Sequence, residues 1–127
     1  MNNALTQTAA ITGAGDGIGR ALAINLNNRG VKLYLCDIDQ ARLDATLAMC
    51  DTSRAMVNTA IVDCGNQTQI EAWAAAIIAD NTSLDFLFNN AGVAYSAEFR
   101  DASLDNFEWL MNINYWGVVW STKALLP

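Results

Sequence analysis

The residues of this chain best suited to chemistry are glycines. Thr12-Gly13-Ala14-Gly15-Asp16-Gly17-Ile18-Gly19 follows a short apolar run, Ala9-Ala10-Ile11, and opens a helical pattern. A glycine loop between a strand and a helix can set backbone N–H groups and a helix N-terminus against a phosphate. Asp37 stands 18 residues beyond Gly19, at the end of the next apolar run. In a dinucleotide-binding arrangement a carboxylate there faces the adenosine ribose and can accept hydrogen bonds from both hydroxyls. Either feature alone also fits an ordinary tight turn or a strand-end aspartate. Their spacing is what favours a dinucleotide.

Composition narrows the chemistry further. The 127 residues suit one domain, and 53% are apolar against 16% charged, which argues for a packed core and against disorder. The net charge is -6 with no basic cluster, so neither nucleic acid nor an anionic membrane is an expected partner. There is no histidine, which excludes His-based catalysis and most His/Cys zinc sites. No metal site is expected. Cys36, Cys50 and Cys64 are odd in number, widely spaced and form no C-x-x-C, so buried free thiols in a reduced, cytoplasmic compartment are expected. Met1 to Thr8 lacks a signal pattern, and no uncharged apolar run is long enough for a membrane span.

The elements that must position these residues alternate strand and helix. Thr8–Thr12, Val31–Cys36, Ala55–Val62 and Leu84–Phe88 read as strands. Between them, Ile18, Leu22 and Leu26 recur at helical spacing, with Gly30 as the stop. Asp39 can cap a helix carrying Leu43 and Leu47. Asn66 with Gln69 resembles a capping box, ahead of a helix placing Ile70, Trp73, Ala74, Ile77 and Ile78 on one side. Asp101 or Ser103 starts a last, long helix that runs to about Leu126, with a stripe of Trp109, Ile113, Trp116 and Trp120. Four strands separated by helices imply an α/β chain with a doubly wound parallel sheet and right-handed crossovers. No repeat or linker divides it.

Thr12-Gly13-x-x-x-Gly17-x-Gly19 resembles the T-G-x-x-x-G-x-G signature of short-chain dehydrogenases/reductases. Asn89-Asn90-Ala91-Gly92 matches that family's N-N-A-G element, and Asn114-Tyr115-Trp116-Gly117 its N-x-x-G. The resemblance covers the whole chain, about the first half of a family member. It implies a Rossmann-like sheet of order 3-2-1-4. It also implies that Gly13, Asp16, Gly17, Ile18 and Gly19 form the pyrophosphate loop, that Asp37 holds the adenosine ribose, that Asp63 meets the adenine, and that Asn90 and Gly92 lie along the cofactor. NAD is expected over NADP, because a carboxylate at Asp37 repels a 2'-phosphate. The positions where NADP-preferring members usually carry a basic residue hold Asp16 and Ile38. Arg42, one helical turn on, is the exception and is assigned to a solvated face.

The family's proton chemistry rests on a serine and a Y-x-x-x-K pair. The tyrosines Tyr34, Tyr95 and Tyr115 are followed four residues later by Ile38, Phe99 and Val119, so this chain has no such pair. Asn114 is the one catalytic element the resemblance supplies; in the family it kinks the helix and its carbonyl holds a water in the proton relay. The chain is therefore expected to be a truncated cofactor-binding portion of an oxidoreductase whose parent acts on a small alcohol or ketone. As the alternative, it is a non-catalytic nucleotide-binding or self-associating module. In either case self-association is expected, through the last helix or an exposed fourth-strand edge.

Overall fold

The computed structural model of the chain describes residues 6–80 and 83–126; most of the stretch before Thr8, and Pro127, lie outside them. Strand β1, Thr8–Thr12, is buried at all five positions. Successive side chains of a strand point to opposite faces, so a strand buried throughout is covered on both sides. Its neighbours are β2 (Lys32–Asp37) and β4 (Phe86–Phe88), both parallel to it. Strand β3 (Val57–Ile61) pairs with β2, giving the order β3-β2-β1-β4. This is the expected order, with β2, β3 and β4 differing from the expected bounds by one or two residues at an end.

Helices cover the two faces. Helices α1 (Gly17–Asn28) and α2 (Gln40–Ala48) lie over Ala9, Ile11, Leu33 and Leu35, with Ala23 and Leu43 packed among them. Helix α3 (Gln67–Asp80) covers the opposite face, where Ile70, Trp73 and Ile77 meet Ala10, Tyr34 and Cys36. Helix α1 ends in a Schellman motif: Gly30, at φ 80°, donates to Asn27 O, and Val31 N–H reaches Leu26 O.

Two helix faces differ from the sequence expectation. Ile18 is 78% exposed, and the buried row of α1 is Gly19, Ala23 and Asn27, with Leu22 and Leu26 only partly buried. The row is set by close approach at Gly19 and by Asn27. Its side-chain amide donates to Asp51 O (3.0 Å) and accepts from Asp51 N–H (2.7 Å), so a buried polar group is satisfied. On α3, Ile78 is 56% exposed, one residue round the helix from buried Ile77. The capping box there is half formed. Asn66 Oδ1 accepts from Gln69 N–H, but Gln69 Oε1 accepts from Asp63 N–H instead of closing on Asn66.

The last helix begins at Ser103, whose hydroxyl accepts from Asn106 N–H. It runs as α4 (Leu104–Met111), a π-helical segment (Asn112–Trp116) and α5 (Gly117–Leu125). Ile113 is buried, while Trp109 and Trp116 are exposed and Trp116 stacks on Trp120. The helix seats on the body at Gly117, where an added Cβ would meet Cys64 O at 2.6 Å. It is tied to the end of β4 by Ser121, which donates to Asn89 Oδ1, and by Thr122, whose hydroxyl accepts from Asn89 Nδ2.

Candidate functional site

The carboxyl ends of all four strands open on one side, and the winding reverses between β1 and β4. That is where α/β sheets of this type present a crevice. A cavity of about 120 Å³ lies there, walled by Gly13, Asp37, Asp63, Cys64 and Gly92, with Ile113 behind. Four of the residues singled out from sequence thus meet in one place. Asp16, Gly17 and Ile18 stand exposed at the loop tip beside it, and Gly19 and Asn90 lie beneath the loop.

The loop is built by close contact. Gly13 has φ 65° and passes 2.9 Å, measured from its would-be Cβ, from the backbone of Ala91. A Cβ on Gly19 would sit 2.2 Å from Gly13 O. Gly17, at φ 53°, has open space around it, so the tip and the start of α1 are free to receive a group. Asp16 caps α1 by accepting from Gly17 N–H, and its other oxygen lies 3.6 Å from Arg42. Arg42 also approaches Asp39, and both pairs are well exposed, so Arg42 does lie on a solvated face, but at the mouth of the loop.

Asn90 works as a structural tie. Its amide donates to Thr12 O (3.2 Å) and Gly13 O (3.1 Å), holding the glycine loop to the end of β4. Thr12 answers with a hydroxyl that accepts from the N–H groups of Asn90 and Ala91. Asp37 is held by two backbone N–H groups, Gly15 on one oxygen (2.9 Å) and Asp39 on the other (3.0 Å). Asp63 folds back on Gly65 N–H (2.8 Å). Asn114, in the π segment, grips Val93 from both sides: Oδ1 accepts from Val93 N–H (2.9 Å) and Nδ2 donates to Val93 O (2.8 Å). It stands beside Gly92 but does not line the cavity.

Cys36 and Cys64 form a hydrogen-bonded thiol pair at the Asp63 side of the cavity. The hydrogen bond to Cys64, then burial and the Cys64 and Asp37 charges, hold the Cys36 thiol well above its ordinary value. The hydrogen bond from Cys36 lowers Cys64, against burial and the Asp63 and Asp37 charges.

A sequence model of the short chain dehydrogenases matches residues 7–127. The chain belongs to the short-chain dehydrogenase family. Human estradiol 17-beta-dehydrogenase 11 is 38% identical over 117 residues, which are 92% of this chain and 39% of that enzyme. A short-chain dehydrogenase/reductase from Burkholderia phymatum, solved with NAD, superposes with a TM-score of 0.88 at 32% identity, over 98% of this chain and 44% of that one. A metagenomic short-chain oxidoreductase solved with NADP gives 0.91 at 26%, over 97% and 57%. The chain thus spans about two fifths of the length of the curated relatives it matches. Of these two solved members, one carries NAD and the other NADP.

Four further residues shape this candidate site. Thr12 stands in the sequence as the first letter of the motif, with no sign of its hydroxyl's partners. Gly15 fell on a variable position of the motif, yet a Cβ there would lie 2.8 Å from Asp37 Oδ2. Arg20 and Thr46 bind the carbonyls of the loop, with Arg20 Nη2 donating to Gly15 O and Thr46 Oγ1 to Ala14 O. No local spacing marks either one.

Proposed function

We propose that this chain forms the cofactor-binding portion of an oxidoreductase that moves hydride between NAD and a small alcohol or ketone. The observation that carries the preference for NAD is the Asp37 carboxylate at the cavity wall, pinned by Gly15 and Asp39 N–H groups. Fixed there, it accepts from ribose hydroxyls and repels a 2'-phosphate. The open tip around Gly17 and the N-terminus of α1 suit the pyrophosphate, with Gly13, Asp16, Ile18 and Gly19 shaping the loop. Asp63 takes the adenine side, and Asn90 and Gly92 keep the loop and the β4 end in line with the cofactor. Bound nicotinamide supplies the hydride chemistry. Asn114 contributes its backbone carbonyl to a proton relay. The relay's serine, tyrosine and lysine have no counterpart among residues 1–127, so the chain alone binds without turning over.

The protein works in the cytoplasm, in keeping with three free cysteines and with the lack of any helix among the described residues long and apolar enough to cross a membrane. It self-associates through the last helix, where Trp109, Trp116 and Val118 are exposed, or through the β4 edge, which pairs only with β1 among the described residues. Light scattering across a concentration series tests this: a monomer at every concentration refutes it. The cofactor reading is tested by titrating the chain with NADH and, separately, NADPH, following energy transfer from its four tryptophans. Saturable NADH binding with much weaker NADPH binding supports it. Equal binding, or a preference for NADPH, refutes the role of Asp37.

A further inference from the structure

The Ala14–Gly15 peptide unit is clamped at both ends. Its carbonyl accepts from the Thr46 hydroxyl at 2.8 Å, and its N–H donates to Asp37 Oδ2 at 2.9 Å. A trans peptide is planar, with C=O and N–H pointing in opposite directions, so fixing one fixes the other. Thr46 sits on α2, fully buried, 32 residues from the carbonyl it holds.

A hydroxyl has one hydrogen to give, and Thr46 has two carbonyls within reach: Ala14 O at 2.8 Å and Arg42 O at 3.3 Å. Arg20 biases the choice. Its Nε donates to Thr46 Oγ1 at 3.0 Å, and its Nη2 donates to Arg42 O at 3.2 Å, so the competing carbonyl already has a donor. The same Nη2 also donates to Gly15 O at 2.5 Å, which fixes the next peptide of the loop. The result is a chain of hydrogen bonds with one direction: guanidinium to hydroxyl, hydroxyl to carbonyl, and N–H to carboxylate.

We propose that Thr46, oriented by Arg20, is a positioning residue that aims the Asp37 carboxylate at the adenosine ribose through the Ala14–Gly15 peptide. It thereby sets the preference for a free 2'-hydroxyl. This rests on the NAD reading above. Replacing Thr46 by Val keeps the shape and removes the hydroxyl. The peptide then loses its anchor, and Asp37 loses one of its two fixed donors. A hydrogen bond to a charged group contributes enough for about a tenfold effect on NADH affinity. NADPH, which gains nothing from a fixed carboxylate, is not weakened in step.

The test measures the NADH-to-NADPH affinity ratio in the full chain, wild type against Thr46→Val and Thr46→Ser. The expected result is about a tenfold fall in the ratio for Thr46→Val and a near wild-type ratio for Thr46→Ser. A merely structural role for Thr46 weakens both nucleotides together and leaves the ratio unchanged, which overturns the proposal. If Thr46→Val does not fold, Arg20→Met carries the test, with the same fall supporting and an unchanged ratio overturning. A wild-type chain with no preference for NADH refutes the reading of Asp37 itself, and the proposal with it.

Discussion

Gly19→Ala tests whether close packing, and not backbone freedom, is what the glycine loop requires at the start of α1. The added methyl would lie 2.2 Å from Gly13 O and 2.6 Å from Asn90 Nδ2. Ordinary contact needs the methyl and the oxygen to part by roughly 1 Å more, and the interior resists such shifts. Overpacking of this kind costs about 1–3 kcal/mol. Displacing Gly13 O also breaks its bond from Asn90, for about 1 kcal/mol. Alanine returns about 1 kcal/mol of helix propensity. The net is a loss of about 2 kcal/mol, which moves a urea midpoint down by about 1 M at the slopes usual for small domains. Tryptophan fluorescence reads the transition, since Trp73 is buried against the sheet. Gly17→Ala is the comparison. Its Cβ meets nothing within 4 Å, so only the positive φ is penalised, at about 1–2 kcal/mol. Because Gly19→Ala also displaces the loop, it weakens NADH binding relative to wild type. A Gly19→Ala chain as stable as wild type, with unchanged NADH affinity, refutes the packing argument.

Asp37→Asn puts a donor where two backbone N–H groups now donate, so NADH weakens about tenfold relative to NADPH, read by the same fluorescence titration. Asn114→Leu frees both backbone groups of Val93, and the irregular stretch from Gly92 to Ala102 becomes the first site of limited proteolysis; an unchanged cleavage pattern counts against the clamp. The three thiols sit in different environments. The Cys36 hydrogen bond holds Cys64 below the ordinary thiol value, burial pushes Cys50 up, and the Cys64 hydrogen bond with burial holds Cys36 well above it. A lower pKa means more thiolate at a given pH, so iodoacetamide at pH 8 labels Cys64 first and Cys36 last by mass spectrometry, and saturating NADH protects Cys64. Labelling of Cys36 ahead of Cys64 overturns this order.

The four strands and the Gly19–Asp37 interval were legible from one-dimensional spacing, whereas the sheet order and the gathering of Asp63 and Gly92 with them were legible only through the family resemblance that the T-G-x-x-x-G-x-G and N-N-A-G elements carry. Apolar runs mark strands, and a strand's last residue falls at the crevice. What the sequence hid depends on contacts between distant segments. Ile18 looked like a core residue because apolar spacing suggested it, yet the row against the sheet is Gly19, Ala23 and Asn27. A glycine and an asparagine carry no hydrophobic signal, and their burial is decided by the Gly13 carbonyl and the Asp51 backbone. Gln69 was matched to Asn66 by local spacing, but Asp63 N–H lay within reach of its side chain. Arg20 and Thr46 left no trace in spacing, because their partners are carbonyl oxygens, and every residue has one.

The π segment has a consequence for how the last helix tolerates change. Five residues, Asn112–Trp116, are wound with one more per turn than the helix on either side. Each residue of an α-helix advances the wheel by about 100°. Removing one residue there would give a straighter, better-bonded helix, and would also swing everything beyond it by about that angle. Ser121 would leave Asn89, and Gly117 would give up the place where only a hydrogen fits against Cys64 O. The helix is therefore phased like a thread with a deliberate offset. Substitutions along it are graded in cost, but a single-residue deletion is all or nothing: it keeps the helix and loses its seat.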